Sequence, residues 1–170
     1  EPHDVLFQMM QYSDIIFGDQ NEWEVASGVP HIPFEALDEN YEINKEAYLA
    51  YFRKMHHLFP KCKKMVMAVR NQIASSHHTL SGLLYDAVED QLYTTRIYDI
   101  EPIVDPMGVG DAFVAAYIHA HQKWGDKNQY CLDFSLSASA FKNTIPGDQN
   151  LVSEEEIINN MTSSGGRIQR

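Results

Sequence analysis

The chain has 170 residues, of which 44% are hydrophobic, and this is enough for one packed core. Its 24 acidic and 13 basic residues give a formal net charge of -11 without any basic block. Electrostatics therefore argue against nucleic acid or an anionic membrane surface as a partner. Cys62 and Cys131 lie too far apart in the sequence to suggest a zinc site or a disulfide framework. No segment resembles a membrane span or a signal peptide, so we expect a cytoplasmic protein.

The first half of the chain shows helical and strand patterns in alternation. Asn44 is a good N-cap for a helix whose apolar positions recur at spacings of three and four, and Pro60 ends that helix. Gly28 is placed to terminate a shorter helix before it. The predicted elements are helix 4–11, strand 14–17, helix 21–27 and helix 45–59.

The second half begins with strands and ends with helices. Ser153 and Glu156 form a capping-box pattern for the last helix. The predicted elements are strands 63–70, 78–85 and 91–98, followed by helices 111–123, 131–143 and 154–161. Alternation of this kind predicts an α/β domain with a mainly parallel sheet and one hairpin. Ligands of such sheets bind beyond the carboxyl ends of the strands.

The stretch "DPMGVGDAF", residues 105–113, lies at a predicted strand-to-helix junction. It is not a P-loop, because Gly-Lys-Ser/Thr does not follow, and a dinucleotide fingerprint would need a third glycine where Phe113 stands. Gly108 and Gly110 would let the backbone approach a ligand, and free N–H groups at a helix start favour a phosphate. Asp111 is then a candidate general base, although an acidic residue in the first turn is also an ordinary helix-start feature. This stretch alone leaves both interpretations open.

A second candidate site lies in "GDQNEWE", at another strand-to-helix junction. Asn21 and Glu24 are three residues apart and would share a helix face. Glu24 could hold a water-coordinated Mg²⁺ while Asn21 meets a phosphate oxygen or the same waters. The alternative is simple capping, with Asn21 as the N-cap and Glu24 at N3.

Together, N-x-x-E and D-x-x-G-x-G-D-A-F resemble the ribokinase-like sugar kinases, the phosphofructokinase-B (PfkB) family. The resemblance implies a ribokinase-like α/β fold with a Rossmann-type, mainly parallel sheet flanked by helices. It covers residues 1–170 as a partial domain, the carboxyl-terminal, nucleotide-binding half of a kinase domain. It implies an anion hole at Gly108, Val109 and Gly110, a catalytic base at Asp111, and contact with Mg²⁺ through water and phosphate at Asn21 and Glu24.

Other strings resemble the 2-keto-3-deoxygluconate kinases of that family: "VRNQIASSHHTLSGLLYD", "AFKNTIPGDQNLVSEEEI" and "GRIQR". The resemblance implies nucleotide contacts at Arg70, Asn143 and Gly147. It also implies a monovalent cation such as K⁺ at Asp105, although Pro106 and Met107 replace the two threonines that are common in the family.

The implied activity is transfer of the ATP γ-phosphoryl group, with Mg²⁺, to a primary hydroxyl of a small-molecule acceptor. The favoured acceptor is the sugar acid 2-keto-3-deoxygluconate. A neutral sugar such as fructose or ribose is the alternative acceptor, and a non-catalytic nucleotide-binding module is the alternative function. Family members often form homodimers, which we also expect here.

Overall fold

The computed structural model describes residues 2–33 and 41–163. The helices are α1 (Pro2–Met10), α2 (Gln20–Ser27), α3 (Lys45–Leu58), α4 (Val109–Trp124), α5 (Asn128–Lys142) and α6 (Glu154–Thr162). The strands are β1 (Ile15–Gly18), β2 (Lys64–Ala74), β3 (His77–Asp86), β4 (Gln91–Thr94) and β5 (Tyr98–Ile100). The "GRIQR" string, residues 166–170, lies outside the described residues.

The five strands of the described chain form one sheet in which β1, β2, β3 and β4 are neighbours in that order. β1 is parallel to β2, and β3 is antiparallel to β2, β4 and β5. Four strands therefore run in one direction and only β3 runs in the other. This confirms the predicted α/β fold, with a mixed sheet of mostly parallel strands. The predicted hairpin is β3–β4, which the turn after Asp86 connects, and β2 and β3 form a second hairpin that the sequence pattern did not predict.

Helices cover both faces of the sheet, as the alternation of apolar residues along its strands requires. On β2, Val66 packs with the helices α4, α5 and α6, while Met65 and Met67 pack against the aromatic side chains of α3. On β3, Leu84 packs on the side of α4, α5 and α6, and Leu83 packs on the side of α3. The result is a three-layer α/β/α arrangement with a separate core on each side of the sheet.

Helix α3 forms as its sequence predicts. Asn44 Oδ1 accepts a hydrogen bond from the N–H of Ala47 at 3.0 Å, and the helix ends just before Phe59. The predicted apolar stripe is buried, with Tyr48, Phe52 and Met55 at its centre. Capping, periodicity and termination agree here, so local sequence is sufficient to define the helix.

The predicted strand 91–98 is divided into β4 and β5, which pair with different parts of β3. Thr95 interrupts the ladder: its N–H donates to the oxygen of Gly82, while its Oγ1 accepts the N–H of Gly82 at 2.8 Å. A side-chain oxygen has taken the place of a main-chain acceptor, so regular pairing stops there.

Within the described ranges 2–33 and 41–163, no helix combines the length and the apolar character needed to cross a membrane.

Candidate active site

An open cleft of about 480 Å³ lies at the end of the sheet where β1 finishes. It brings together segments that are distant in the sequence: the end of β1, the start of α2, the middle of β2 and the start of α4. Its polar lining consists of Asp19, Glu22, Arg70, Asp111 and Ser139, together with the backbone of Gly110. The position agrees with the expectation that ligands bind where parallel strands open into helices.

The glycine loop, residues 105–111, forms one wall of this cleft. Gly108 has φ +75°, and a Cβ at this position would lie 2.2 Å from the main-chain oxygen of Asp148. Any other residue would be strained in conformation and would collide with the neighbouring loop. Gly110 differs, because nothing lies within 4 Å of the position that its Cβ would take. The space beside Gly110 is therefore open to a ligand.

Helix α4 begins in the same wall. Its N-cap, Gly108, provides no side chain to cap the helix, and the N–H groups of Val109, Gly110 and Asp111 belong to the first turn. Such groups have no intrahelical acceptor, and the positive end of the helix dipole lies beside them. Asp111 is exposed at the same helix start and lines the cleft. Free N–H donors, which suit an anion, and a carboxylate thus lie at the same helix start.

The start of α2 forms another part of the cleft lining, and this helix begins earlier than the sequence suggested. Asp19 is the N-cap, and its Oδ1 accepts the N–H of Glu22 at 2.9 Å. Glu22 Oε2 in turn accepts the N–H of Asp19 at 2.8 Å, which completes a capping box. The box uses one oxygen of each carboxylate, and both residues line the cleft. The capping interpretation of Asn21 and Glu24 is therefore wrong by two residues.

The structure does not bring Asn21 and Glu24 to this cleft. Asn21 lines a different, largely apolar cavity together with Leu6 and Met10. The Glu24 carboxylate binds both the backbone N–H and the ring nitrogen of His31, and the backbone bond is the main reason that the pKa of Glu24 is lowered. The cleft carboxylates of α2 are instead Asp19 and Glu22, which form a D-x-x-E pattern that overlaps the N-x-x-E pattern in the sequence.

Asp105 holds two loops together. Its Oδ1 accepts the N–H of Met107 at 3.0 Å and its Oδ2 accepts the N–H of Gly147 at 2.8 Å. These backbone hydrogen bonds, first from Met107 and then from Gly147, lower the pKa of the Asp105 carboxyl. The side chain that was predicted to meet a monovalent cation is therefore engaged in fixing the glycine loop to residues 143–148.

The three predicted nucleotide residues have different surroundings. Arg70 is exposed on β2 and lines the cleft, where it contributes a basic side chain beside the acidic lining residues. Asn143 is buried and donates from Nδ2 to the oxygen of Ser139 at 3.0 Å, so its side chain serves the fold. Gly147 is exposed with φ +81°, and its N–H is bound by Asp105. Of the three, the structure brings only Arg70 into the cleft.

Comparison with solved structures finds carbohydrate kinases among the matches. Over 95% of this chain, 2-dehydro-3-deoxygluconokinase from Thermotoga maritima matches with a TM-score of 0.81 and 27% identity. A PfkB family carbohydrate kinase from Listeria grayi matches with a TM-score of 0.76 and 24% identity over 95% of the chain. Arabidopsis thaliana ribokinase in complex with ribose and ATP matches with a TM-score of 0.61 and 18% identity over 93% of the chain. The chain has the ribokinase-like fold.

The chain matches 45%, 45% and 44% of these three solved chains, so it spans less than half the length of each. The matching region is a partial ribokinase-like domain. Comparison with family models gave no match, and comparison with curated proteins gave none either. The likeness is thus found in the three-dimensional structure, and it confirms the family resemblance that N-x-x-E and the glycine stretch together suggested.

Proposed function

We propose that this chain is part of an ATP-dependent carbohydrate kinase that phosphorylates a primary hydroxyl of a sugar acid, with 2-keto-3-deoxygluconate as the favoured acceptor. The observation that supports the proposal best is the cleft itself. It brings the open N-terminus of α4 and Asp111 together with Asp19 and Glu22. The 2-dehydro-3-deoxygluconokinase of T. maritima, at 27% identity, supports the choice of acceptor.

The first-turn N–H groups of Val109, Gly110 and Asp111 would receive oxygens of the transferring phosphoryl group. Asp111 would accept the proton of the acceptor hydroxyl as that oxygen attacks phosphorus, while the bond to the ADP leaving group breaks. Arg70 would bind a phosphate oxygen of the nucleotide. Positioning and fixed charge then provide most of the catalysis.

The residues of the cleft also fit a magnesium ion. Asp19 and Glu22 present carboxylate oxygens, the ligand type that Mg²⁺ prefers, and each keeps one oxygen outside the capping box. We therefore assign the metal contact to these two residues instead of Asn21 and Glu24. When bound, Mg²⁺ neutralises charge on the phosphates.

The test is a turnover assay of the full-length protein with Mg-ATP and a matched panel of 2-keto-3-deoxygluconate, fructose and ribose. We expect phosphorylation of the sugar acid, and loss of the activity in Asp111→Asn. Good activity on a neutral sugar with none on the sugar acid would contradict the choice of acceptor. Binding of Mg-ATP without phosphorylation of any acceptor would favour a nucleotide-binding module.

A further inference from the structure

Lys142, the last residue of α5, has a side chain that is 0% exposed. Its Nζ donates to the main-chain oxygen of Ile145 at 2.9 Å and to that of Asp105 at 3.4 Å. A buried lysine normally pairs with a carboxylate, because an isolated charge is costly to remove from water. In the part of the chain that the structure describes, Lys142 has no such ion pair, and main-chain carbonyls accept its hydrogen bonds.

The two carbonyls come from different loops. Asp105 opens the glycine loop, and Ile145 belongs to the 143–148 loop. The same loops meet again where Gly147 donates to the Asp105 carboxylate and where Gly108 packs against the oxygen of Asp148. The ammonium group thus lies at the junction of the two loops, one of which leads into the first turn of α4.

Other groups on the same end of α5 support the glycine loop. Ser139 Oγ donates to the oxygen of Val109 at 3.0 Å, and the oxygen of Asn143 accepts the N–H groups of Val104 and Asp105. Positions 139, 142 and 143 are three and four residues apart and therefore share one helix face. The glycine loop is consequently fixed to the end of α5 at two places, at its start around Asp105, where Lys142 binds, and at Val109.

We propose that Lys142 is a positioning residue that acts as a tethered monovalent cation, holding the carbonyls of Asp105 and Ile145 together and so fixing the glycine loop in its anion-binding geometry. Carbonyl oxygens bind K⁺ as well as ammonium groups. The lysine therefore does the work of a free monovalent cation at this junction, and activity does not require K⁺. This inference rests on the proposed function only for its activity readout.

The test is chemical rescue of Lys142→Ala in the full-length protein. In tetramethylammonium chloride, whose cation is too large for the vacated space, we expect the kcat of the variant to be roughly 10- to 100-fold below that of the wild type. The reason is that a displaced loop misaligns the phosphoryl group. Added NH₄Cl or KCl should restore most of that loss, while the wild-type rate stays the same in all three salts. A K⁺-dependent wild-type enzyme, or a loss that neither ion rescues, would overturn the proposal.

A second readout is independent of catalysis. The thermal midpoint of Lys142→Ala should rise with NH₄⁺ or K⁺ at a fixed ionic strength, and that of the wild type should not. If no acceptor is phosphorylated but this shift occurs, the proposed function fails and the tethered cation stands. If the shift is absent, the tethered cation fails.

Two further variants complete the design. Lys142→Met keeps the packing without the charge, so it should fold, lose kcat to a similar extent and resist rescue; a near-normal kcat in K⁺-free buffer would contradict the proposal. Lys64→Ala is the matched control, since Lys64 is also buried but donates to the side chains of Asp86 and Asn128. Its loss of stability should show no preference for NH₄⁺ or K⁺ over tetramethylammonium.

Discussion

At the scale of single residues, Asp111 is the side chain on which the proposed chemistry depends most directly. Asp111→Asn keeps the size and the helix start but cannot accept a proton. We expect kcat to fall by about 10²–10⁴, the usual contribution of a general base, while the affinity for ATP stays the same. Steady-state rates and calorimetric nucleotide binding measure the two quantities.

The control for this variant is Glu155→Gln, which neutralises an exposed carboxylate on α6 outside the cleft. It should leave both quantities at the wild-type level. A rate for Asp111→Asn within a factor of about three of wild type, well short of a general base's usual contribution, would remove the base assignment.

The two glycines of the loop should respond oppositely to alanine. Gly108→Ala must hold a Cβ at φ +75° against the oxygen of Asp148, and the conformation alone costs on the order of 1–2 kcal/mol of folding free energy. Gly110→Ala meets no atom and gains helix propensity, up to about 1 kcal/mol. Its methyl group would nevertheless occupy the cleft, so we expect unchanged or higher stability with lower kcat/KM. Urea unfolding and kinetics separate the two effects, and a fully active Gly110→Ala would argue against a phosphate there.

At the scale of elements, the capping box of α2 allows the metal role to be separated from the helix. Asn is as good an N-cap as Asp, so Asp19→Asn should keep the helix and lose the charge, whereas Asp19→Ala should also lose about 1 kcal/mol of stability. We expect both variants to need more Mg²⁺ for half-maximal activity. Magnesium titrations of initial rate, alongside thermal unfolding, provide the measurement.

Glu24→Gln is the matched control, since Glu24 lies on the same helix, five residues after Asp19, and binds His31. Its magnesium requirement should remain that of the wild type. If Glu24→Gln raised the requirement and Asp19→Asn did not, the N-x-x-E prediction would be restored.

The elements also show where sequence is sufficient. α3 was predictable because its cap, its apolar stripe and its termination signal point to the same helix. α6 was predictable from its start, where Ser153 and Glu156 form the predicted capping box. The start of α2 was harder to predict because the D-x-x-E and N-x-x-E patterns overlap in the sequence, and either pattern could form the N-terminal capping box of the helix. The choice depends on Asp19 having extended backbone directly after β1, which fixes the helix start and hence the residues that face the cleft.

At the scale of the whole molecule, the sequence predicted the fold class and the glycine loop, but not the buried charges. Lys64 pairs with Asp86 because those residues are register partners of the β2–β3 hairpin, and Asn128 joins them from the start of α5. Lys142 similarly meets Asp105, 37 positions away. Such partners are set by topology, and no local pattern in the sequence specifies them.

The Lys64–Asp86 pair should contribute strongly to stability at neutral pH. The Asp86 carboxylate is buried and also accepts N–H groups from Val88 and Glu89. Lys64 Nζ also lies 2.9 Å from Oδ1 of the exposed Asp126, so the lysine keeps an ionic partner when Asp86 is replaced. Asp86→Asn removes the buried charged acceptor of several hydrogen bonds and should lower the free energy of unfolding by about 1–3 kcal/mol at pH 7. Urea unfolding measures this, and Asp14→Asn is the control, since Asp14 pairs with Lys63 on the open surface and its loss should leave stability near wild type.

The same pair predicts a pH dependence of known sign. Burial raises the pKa of Asp86, but hydrogen bonds from Glu89, Asn128 and Lys64 outweigh it, so the pKa lies below its usual 3.8. A carboxyl whose pKa is depressed by folding stabilises the native state above its unfolded pKa, and this stabilisation is lost as the pH falls through the folded value. The stability difference between wild type and Asp86→Asn should therefore be constant from pH 7 to about 5 and shrink below about 4. A difference that grew on acidification would mean that Asp86 is destabilised as a carboxylate, with burial outweighing its hydrogen bonds.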